Sequence, residues 1–167
     1  VRHMSIFKSI ALVRKAFRTL EEKNNLNILM PEDVLYLSRG DLRVTNQKEI
    51  ESHLTQRKNS RIIKDIHKYS YYDKFKTINR FRRILLPPGS DNINGLCFSV
   101  ESSTILQMIS VTTKHILDSP FWSYAGFRYM LPFLHRLILL PSMKGPTKES
   151  PYAGMWSVDE IARVLDA

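Results

Sequence analysis

The stretch RKNSRIIKDIHKYSYYDKFKTINRFRR, residues 57–83, combines a dense positive charge with apolar residues at regular spacing. It contains ten Lys or Arg residues and two Asp residues, so it supplies +8 of the chain's formal net charge of +9. Charge that is concentrated in one segment produces a directional field, which attracts anionic partners. The stretch therefore bears on both the local structure and the chemistry of a partner.

The spacing of the apolar residues predicts two consecutive helices in this stretch. A helix over residues 57–69 places its isoleucines on one side and aligns four cations within about 60° on the other side: Arg57, Arg61, Lys64 and Lys68. The apolar pattern changes register after Ser70, which predicts a second helix from Tyr71 onward. Three cations line up on that second helix: Lys76, Arg80 and Arg83.

These two cationic faces predict a nucleic-acid-binding surface. Basic side chains one helical turn apart are separated by about 5–6 Å, and each phosphate that they neutralise releases counterions. The aligned cations are predicted to contact phosphates, and three tyrosines near the helix break are predicted to stack on unpaired bases: Tyr69, Tyr71 and Tyr72. RNA or another single strand is the predicted partner. The alternative is an ordinary solvated surface, because long Lys and Arg side chains cover apolar surface without any ligand.

The rest of the chain predicts a mainly α fold of about six to seven helices, with at most a small strand at residues 96–100. Helix-start signals support several of these helices, for example Ser157 followed by Glu160 in the spacing of a capping box. Outside the basic stretch, the predicted helices span residues 5–20, 31–39, 45–54, 102–118, 119–140 and 156–167.

The length of 167 residues and the hydrophobic content of 43% predict one compact domain over residues 4–167. A loop at residues 87–95, rich in Pro, Gly and Asn, separates a basic half (4–86) from an apolar half (96–167). Residues 1–3 are predicted to be a cloning remnant, with Met4 as the natural start.

The sequence predicts no enzyme activity, no catalytic residues, no metal site and no cofactor. The histidines show no two-histidine metal spacing, and the glycines form no phosphate-binding loop motif. Cys97 is the only cysteine, and it is interpreted as a small buried apolar residue rather than a nucleophile.

Two other function classes are consistent with the same features. A peripheral membrane protein or viral matrix-type structural protein would use helix 5–20 and the basic faces against anionic lipid. A helical interaction module would act in a homo-oligomer or a larger assembly, which a C-terminal helix truncated at Ala167 would favour.

The single cysteine and the lack of a secretory signal predict an intracellular location, cytoplasmic or nuclear. Helix 5–20 also has the basic, acid-poor character of a mitochondrial presequence, so a mitochondrial location stays open. The apolar stretch 121–140 contains Arg128, His135 and Arg136, which favours a buried helix over a membrane span.

Overall fold

The computed structural model shows a doubly wound α/β fold, so the predicted mainly α fold is wrong. It describes residues 2–23, 32–40, 43–89, 95, 98–99, 103–110, 136–144 and 153–167. Within these residues the chain forms a five-stranded parallel sheet and four α-helices, rather than six to seven helices with one small strand.

The sheet has the strand order β2-β1-β3-β4-β5. Its strands are β1 (Glu32–Ser38), β2 (Ser60–Lys64), β3 (Phe81–Leu86), β4 (Thr104–Ile109) and β5 (Arg136–Pro141). All neighbouring pairs are parallel; Val34 of β1, for example, lies beside Ser60 of β2 and Arg83 of β3. The chain therefore adds β2 on one side of β1 and then crosses to the other side for β3.

Continuous runs of buried residues explain why these segments form parallel strands. Residues 34–38 are all buried, and so are residues 84–88 and 105–108. Strands of a parallel sheet are covered on both faces, so they are apolar throughout instead of alternating between apolar and polar residues.

Helices cover both faces of the sheet. They are α1 (Arg2–Lys23), α2 (Gln47–Thr55), α3 (Tyr71–Ile78) and α4 (Val158–Asp166), with a short 3₁₀ helix at Ile66–Lys68. We call the side covered by α2 and α4 the first face; its core contains Val34, Tyr36, Leu85, Leu106, Met108, Ile50 and Ile161. The second face is covered by α3 and by Phe17 of α1; its core contains Leu35, Leu37, Ile84, Leu86, Ile105, Phe75 and Phe98.

The helices predicted at 5–20, 45–54, from Tyr71 and at 156–167 are confirmed. The Ser157 hydroxyl accepts the Glu160 N–H at 3.1 Å, as a helix cap does. Asn46 precedes α2, but its amide nitrogen donates to the Trp156 carbonyl oxygen at 2.8 Å and to the Glu49 carboxylate at 3.1 Å instead of capping the backbone.

Strands replace the other predicted helices. Residues 57–69 form β2 and the 3₁₀ helix, so the cations of that segment do not align as a helical ridge. The second basic helix ends at Ile78, and Arg83 lies in β3. The ranges 31–39 and 102–118, predicted to be helical, contain β1 and β4, and the predicted helix 119–140 overlaps β5. Residues 111–135 lie outside the described residues. Phe98 is helical, which contradicts the strand predicted at 96–100; its other residues except Ser99 lie outside the described part.

The strand order creates a switch point between β1 and β3. The chain leaves β1 for α2 on the first face, whereas Phe98, which follows β3, packs on the second face. Where consecutive connections diverge to opposite faces, a crevice opens beyond the carboxyl ends of the strands, and open α/β sheets bind their ligands there. The residues just after Ser38 and Leu86 are therefore candidates for a site.

Candidate functional site

Two arginine guanidinium groups converge on Gly89 at this switch point. Arg39 follows β1, Arg43 lies in the loop that leads to α2, and Gly89 follows β3. A Cβ atom on Gly89 would lie 2.5 Å from Nη1 of Arg43 and 2.6 Å from Nη1 of Arg39, so these two nitrogens are within about 5 Å of one another. Both arginines also take part in further interactions; together they bring two positive charges to the end of β3.

Gly89 permits this convergence because it has no side chain. Its φ is 134°, a conformation that residues with a Cβ rarely adopt. The position that a side chain would occupy is filled by the two guanidinium groups. Glycine is therefore required here both for the backbone conformation and for the close approach of the arginines.

Side-chain donors hold the backbone that leads to Gly89. The fully buried Gln107 amide nitrogen lies 3.3 Å from the carbonyl oxygens of both Leu86 and Pro87. Nη1 of Arg43 lies 3.5 Å from the Pro88 carbonyl oxygen, at the limit of hydrogen-bonding distance. The conformation of this segment is restricted by two consecutive prolines and by these side-chain contacts to three backbone carbonyl oxygens. Gly89 is therefore held at a defined position.

The C-terminal part of the chain fixes the backbone of the loop that carries Arg43. The Gly154 N–H donates to the Arg43 carbonyl oxygen at 2.9 Å, and the Thr45 N–H donates to the Gly154 carbonyl oxygen at 2.9 Å. A Cβ on Gly154 would lie 2.5 Å from the Trp156 ring, so this residue also has to be glycine for the bridge to form. Residues distant in sequence thus position one of the two arginines.

A polar network occupies the carboxyl ends of β1 and β2. The Ser38 hydroxyl donates to the Glu51 carboxylate at 2.6 Å, the Gln47 amide donates to the same oxygen at 2.8 Å, and the Lys64 ammonium lies 3.2 Å from the other oxygen. Burial tends to raise the pKa of Glu51, but these hydrogen bonds and the Lys64 charge outweigh it and lower the pKa. Glu51 is therefore held as a carboxylate.

Glu51→Gln is expected to destabilise the protein at neutral pH by about 1 kcal/mol. The amide of glutamine would keep some of the hydrogen bonds of the carboxylate but not its charge. A group whose folded-state pKa is lowered stabilises the fold above its unfolded pKa and loses that effect as pH falls through the folded value. The difference between Glu51→Gln and wild type should thus shrink towards zero below about pH 4.

Urea unfolding followed by circular dichroism across pH measures this difference. Glu22→Gln, at an exposed position of α1, is the matched control and should match wild type throughout. A Glu51→Gln deficit that is the same at acidic and neutral pH would show that ionisation of Glu51 does not stabilise the fold.

Three of the predicted phosphate-binding cations lie towards the amino ends of the strands, opposite the switch point. Arg80 pairs with Glu32 at 3.3 Å, and Arg83 pairs with Asp33. Arg57 also contacts Asp33, at 3.4 Å. Arg57 also contacts Asp166 of α4 at 2.7 Å. This hydrogen bond is the main reason that the pKa of Arg57 is raised above its ordinary value. These cations tie β1, β3 and α4 together through carboxylates.

The remaining predicted cations do not form one ridge either. Lys64 pairs with Glu51, and Lys68 lies 2.7 Å from Asp65, which lowers the pKa of that carboxyl. Arg61 is exposed on β2, and Lys76 is exposed on α3, where its ammonium lies 5.3 Å from the centre of the Tyr72 ring. The structure thus distributes the seven cations over β2, β3, α3 and the adjoining turns.

The three predicted stacking residues differ in exposure. Tyr69 is partly buried and packs against the core of the second face. Tyr72 has 40% of its surface exposed and Tyr71 has 72% exposed. Only the last two present rings to solvent to a degree that would allow stacking on a ligand.

Sequence reasoning missed Arg39, Arg43, Gly89 and Gln107.

No known protein family matches the chain, and no curated protein has a significantly similar sequence. Among the described residues no His, Cys, Asp and Glu side chains form a group of three that could hold a metal ion. The predictions that the chain is not an enzyme and uses no cofactor stay predictions.

Proposed function

We propose that the protein binds a phosphorylated small molecule at the carboxyl edge of the sheet, between β1 and β3. The observation that carries this proposal is the convergence of Arg39 and Arg43 on Gly89 at the switch point. Strand order alone indicates where a ligand binds but not which one. The side chains at that place supply the chemistry.

Two guanidinium groups suit a phosphate group. Each presents N–H donors in a planar fork that matches phosphate oxygens, and hydrogen bonds between charged partners are stronger than neutral ones. Arg39 and Arg43 are half-buried, so water screens their charge less than on an open surface. Gly89 lets both guanidinium groups approach its backbone closely, because it has no side chain that would displace them.

Titration calorimetry with ADP and with inorganic pyrophosphate tests the proposal. Wild type is expected to bind both, and Arg39→Ala and Arg43→Ala should each weaken binding about 10- to 150-fold, because each removes a charged hydrogen bond of about 1.5–3 kcal/mol. Arg39→Lys should recover only part of the loss, since an ammonium keeps the charge but not the fork.

Arg82→Ala is the matched control, because Arg82 is an exposed arginine of β3 and should leave affinity unchanged. Circular dichroism confirms that each variant folds. Wild type that binds neither probe, or folded arginine variants that bind like wild type, would overturn the proposal.

Nucleic-acid binding through residues 57–83 is a second proposal. It is supported by the exposed rings of Tyr71 and Tyr72, each with a lysine ammonium about 5 Å from its centre, since aromatic rings beside cations stack on bases. Fluorescence anisotropy with single-stranded RNA separates the two proposals. Salt-sensitive RNA binding that is lost in the Arg61→Glu, Lys76→Glu double variant, without pyrophosphate binding, would favour the second.

Peripheral membrane binding and a role in a larger assembly stay predictions. None of the helices in the described part of the chain combines the length and the apolar character that crossing a bilayer needs. An intracellular location is proposed on the basis of the single cysteine, Cys97.

A further inference from the structure

Tyr71 is an exposed aromatic residue at the start of α3. Other apolar residues of this helix, Phe75 and Ile78, are buried, whereas 72% of the Tyr71 surface is exposed. Its ring centre lies 6.3 Å from that of Phe98 and 5.2 Å from the Lys74 ammonium. Because Lys74 is itself 8% exposed, the cation is held in place beside the ring and helps to fix its orientation.

Tyr71 lies on the same edge of the sheet as the two arginines. β2 ends at Lys64, which pairs with Ser38 at the end of β1, and the chain then reaches α3 through the 3₁₀ helix. The contact with Phe98 places Tyr71 beside a described residue of the connection from β3 to β4. Neighbouring strands are about 4.8 Å apart, so the ends of β2 and β3 lie within about 10 Å of each other on either side of β1.

We propose that the phosphorylated ligand is a nucleotide whose base stacks on Tyr71 while its phosphates contact Arg39 and Arg43. This inference rests on the proposed function. A base presents a flat aromatic face that suits an exposed tyrosine ring, and stacking of this kind tolerates any base. Inorganic phosphate and pyrophosphate have no group that would stack on the ring.

Ligands with and without a base, measured on paired tyrosine variants, test the inference. Tyr71→Ala should weaken ADP binding about 5- to 150-fold, the effect of removing one stacking ring, and should leave pyrophosphate binding unchanged. Tyr71→Phe keeps the ring and should bind ADP like wild type. Tyr72→Ala, which removes the neighbouring exposed ring, is the matched control and should also bind ADP like wild type.

The outcomes separate this inference from the proposal beneath it. If Tyr71→Ala binds ADP as wild type does, while Arg39→Ala loses both probes, the phosphate site stands and base stacking on Tyr71 is overturned. Equal losses of ADP and pyrophosphate in Tyr71→Ala would also overturn it, because the ring would then act on the fold or on the phosphates. Wild type that binds neither probe overturns both proposals.

Discussion

Alanine at Ile84 or at Leu85 is expected to lower the free energy of unfolding by about 2–5 kcal/mol in each case. The two residues are consecutive in β3, the central strand, and neither has exposed surface. Successive side chains of a strand point to opposite faces of the sheet. Ile84 therefore fills the core of the second face, and Leu85 fills the core of the first face.

This pair of variants distinguishes a doubly covered strand from a surface helix, which would bury one of the two side chains much more than the other. Arg82→Ala, two residues before Ile84 in the same strand and exposed, is the control and should change stability by less than about 0.5 kcal/mol. Chemical unfolding followed by circular dichroism gives all three values. An Ile84→Ala effect as small as that of Arg82→Ala would contradict burial on the second face.

Gly89→Val is expected to reduce pyrophosphate affinity about 100-fold or more, because it displaces both guanidinium groups and removes two charged hydrogen bonds. A Cβ at this position overlaps Nη1 of Arg39 and of Arg43. The backbone, with φ of 134°, adds strain for any residue other than glycine, of about 1–3 kcal/mol. A lower melting temperature should accompany the loss of affinity.

Gly40→Ala provides the matched control for this loss. Gly40 follows Arg39 directly, but a Cβ there would meet no atom within 4 Å. The Gly40→Ala protein should bind pyrophosphate with the same affinity as wild type. If the folded Gly89→Val protein binds pyrophosphate as well as Gly40→Ala does, the two arginines do not act at this position.

The helices could be predicted from the sequence because each carries its own local signal. In α4, Ser157 and Glu160 mark the start, as the sequence pattern predicts, and Trp156 and Ile161 pack in the same core. In α3, Ser70 caps the helix through the Asp73 N–H at 3.1 Å. Signals of this kind lie within a few residues of one another, so no knowledge of the rest of the fold is needed.

The strands could not be separated from helices by the same reasoning. The runs VLYL (34–37) and LILL (137–140) are short and apolar throughout, and such runs fit a buried strand or part of a buried helix equally well. The features that favour a strand over a helix are the boundaries of the runs and the presence of β-branched residues, such as Ile62 and Ile63 in β2. Helical periodicity extended across these runs produced the wrong fold class.

The candidate site depends on contacts between segments that are distant in sequence. The amino-acid composition instead indicated the basic stretch 57–83 as the site. The charge of residues 57–83 is the strongest feature of the sequence, yet five of its seven proposed cations pair with carboxylates. Arg39 and Arg43 stand out only after the strand order places the end of β1 beside Gly89. If residues 34–38 and 81–86 are neighbouring parallel strands, then the residues that follow them, 39–40 and 87–89, lie at the same edge of the sheet.

The position of β2 as the outermost described strand on its side of the sheet gives its basic residues a separate significance. An outer strand offers unpaired backbone groups to any other extended chain, and proteins discourage such pairing with charged side chains, lysine above all. Arg61 and Lys64 are both exposed along β2. We therefore expect these charges to oppose the side-by-side joining of the sheets of two copies of the protein.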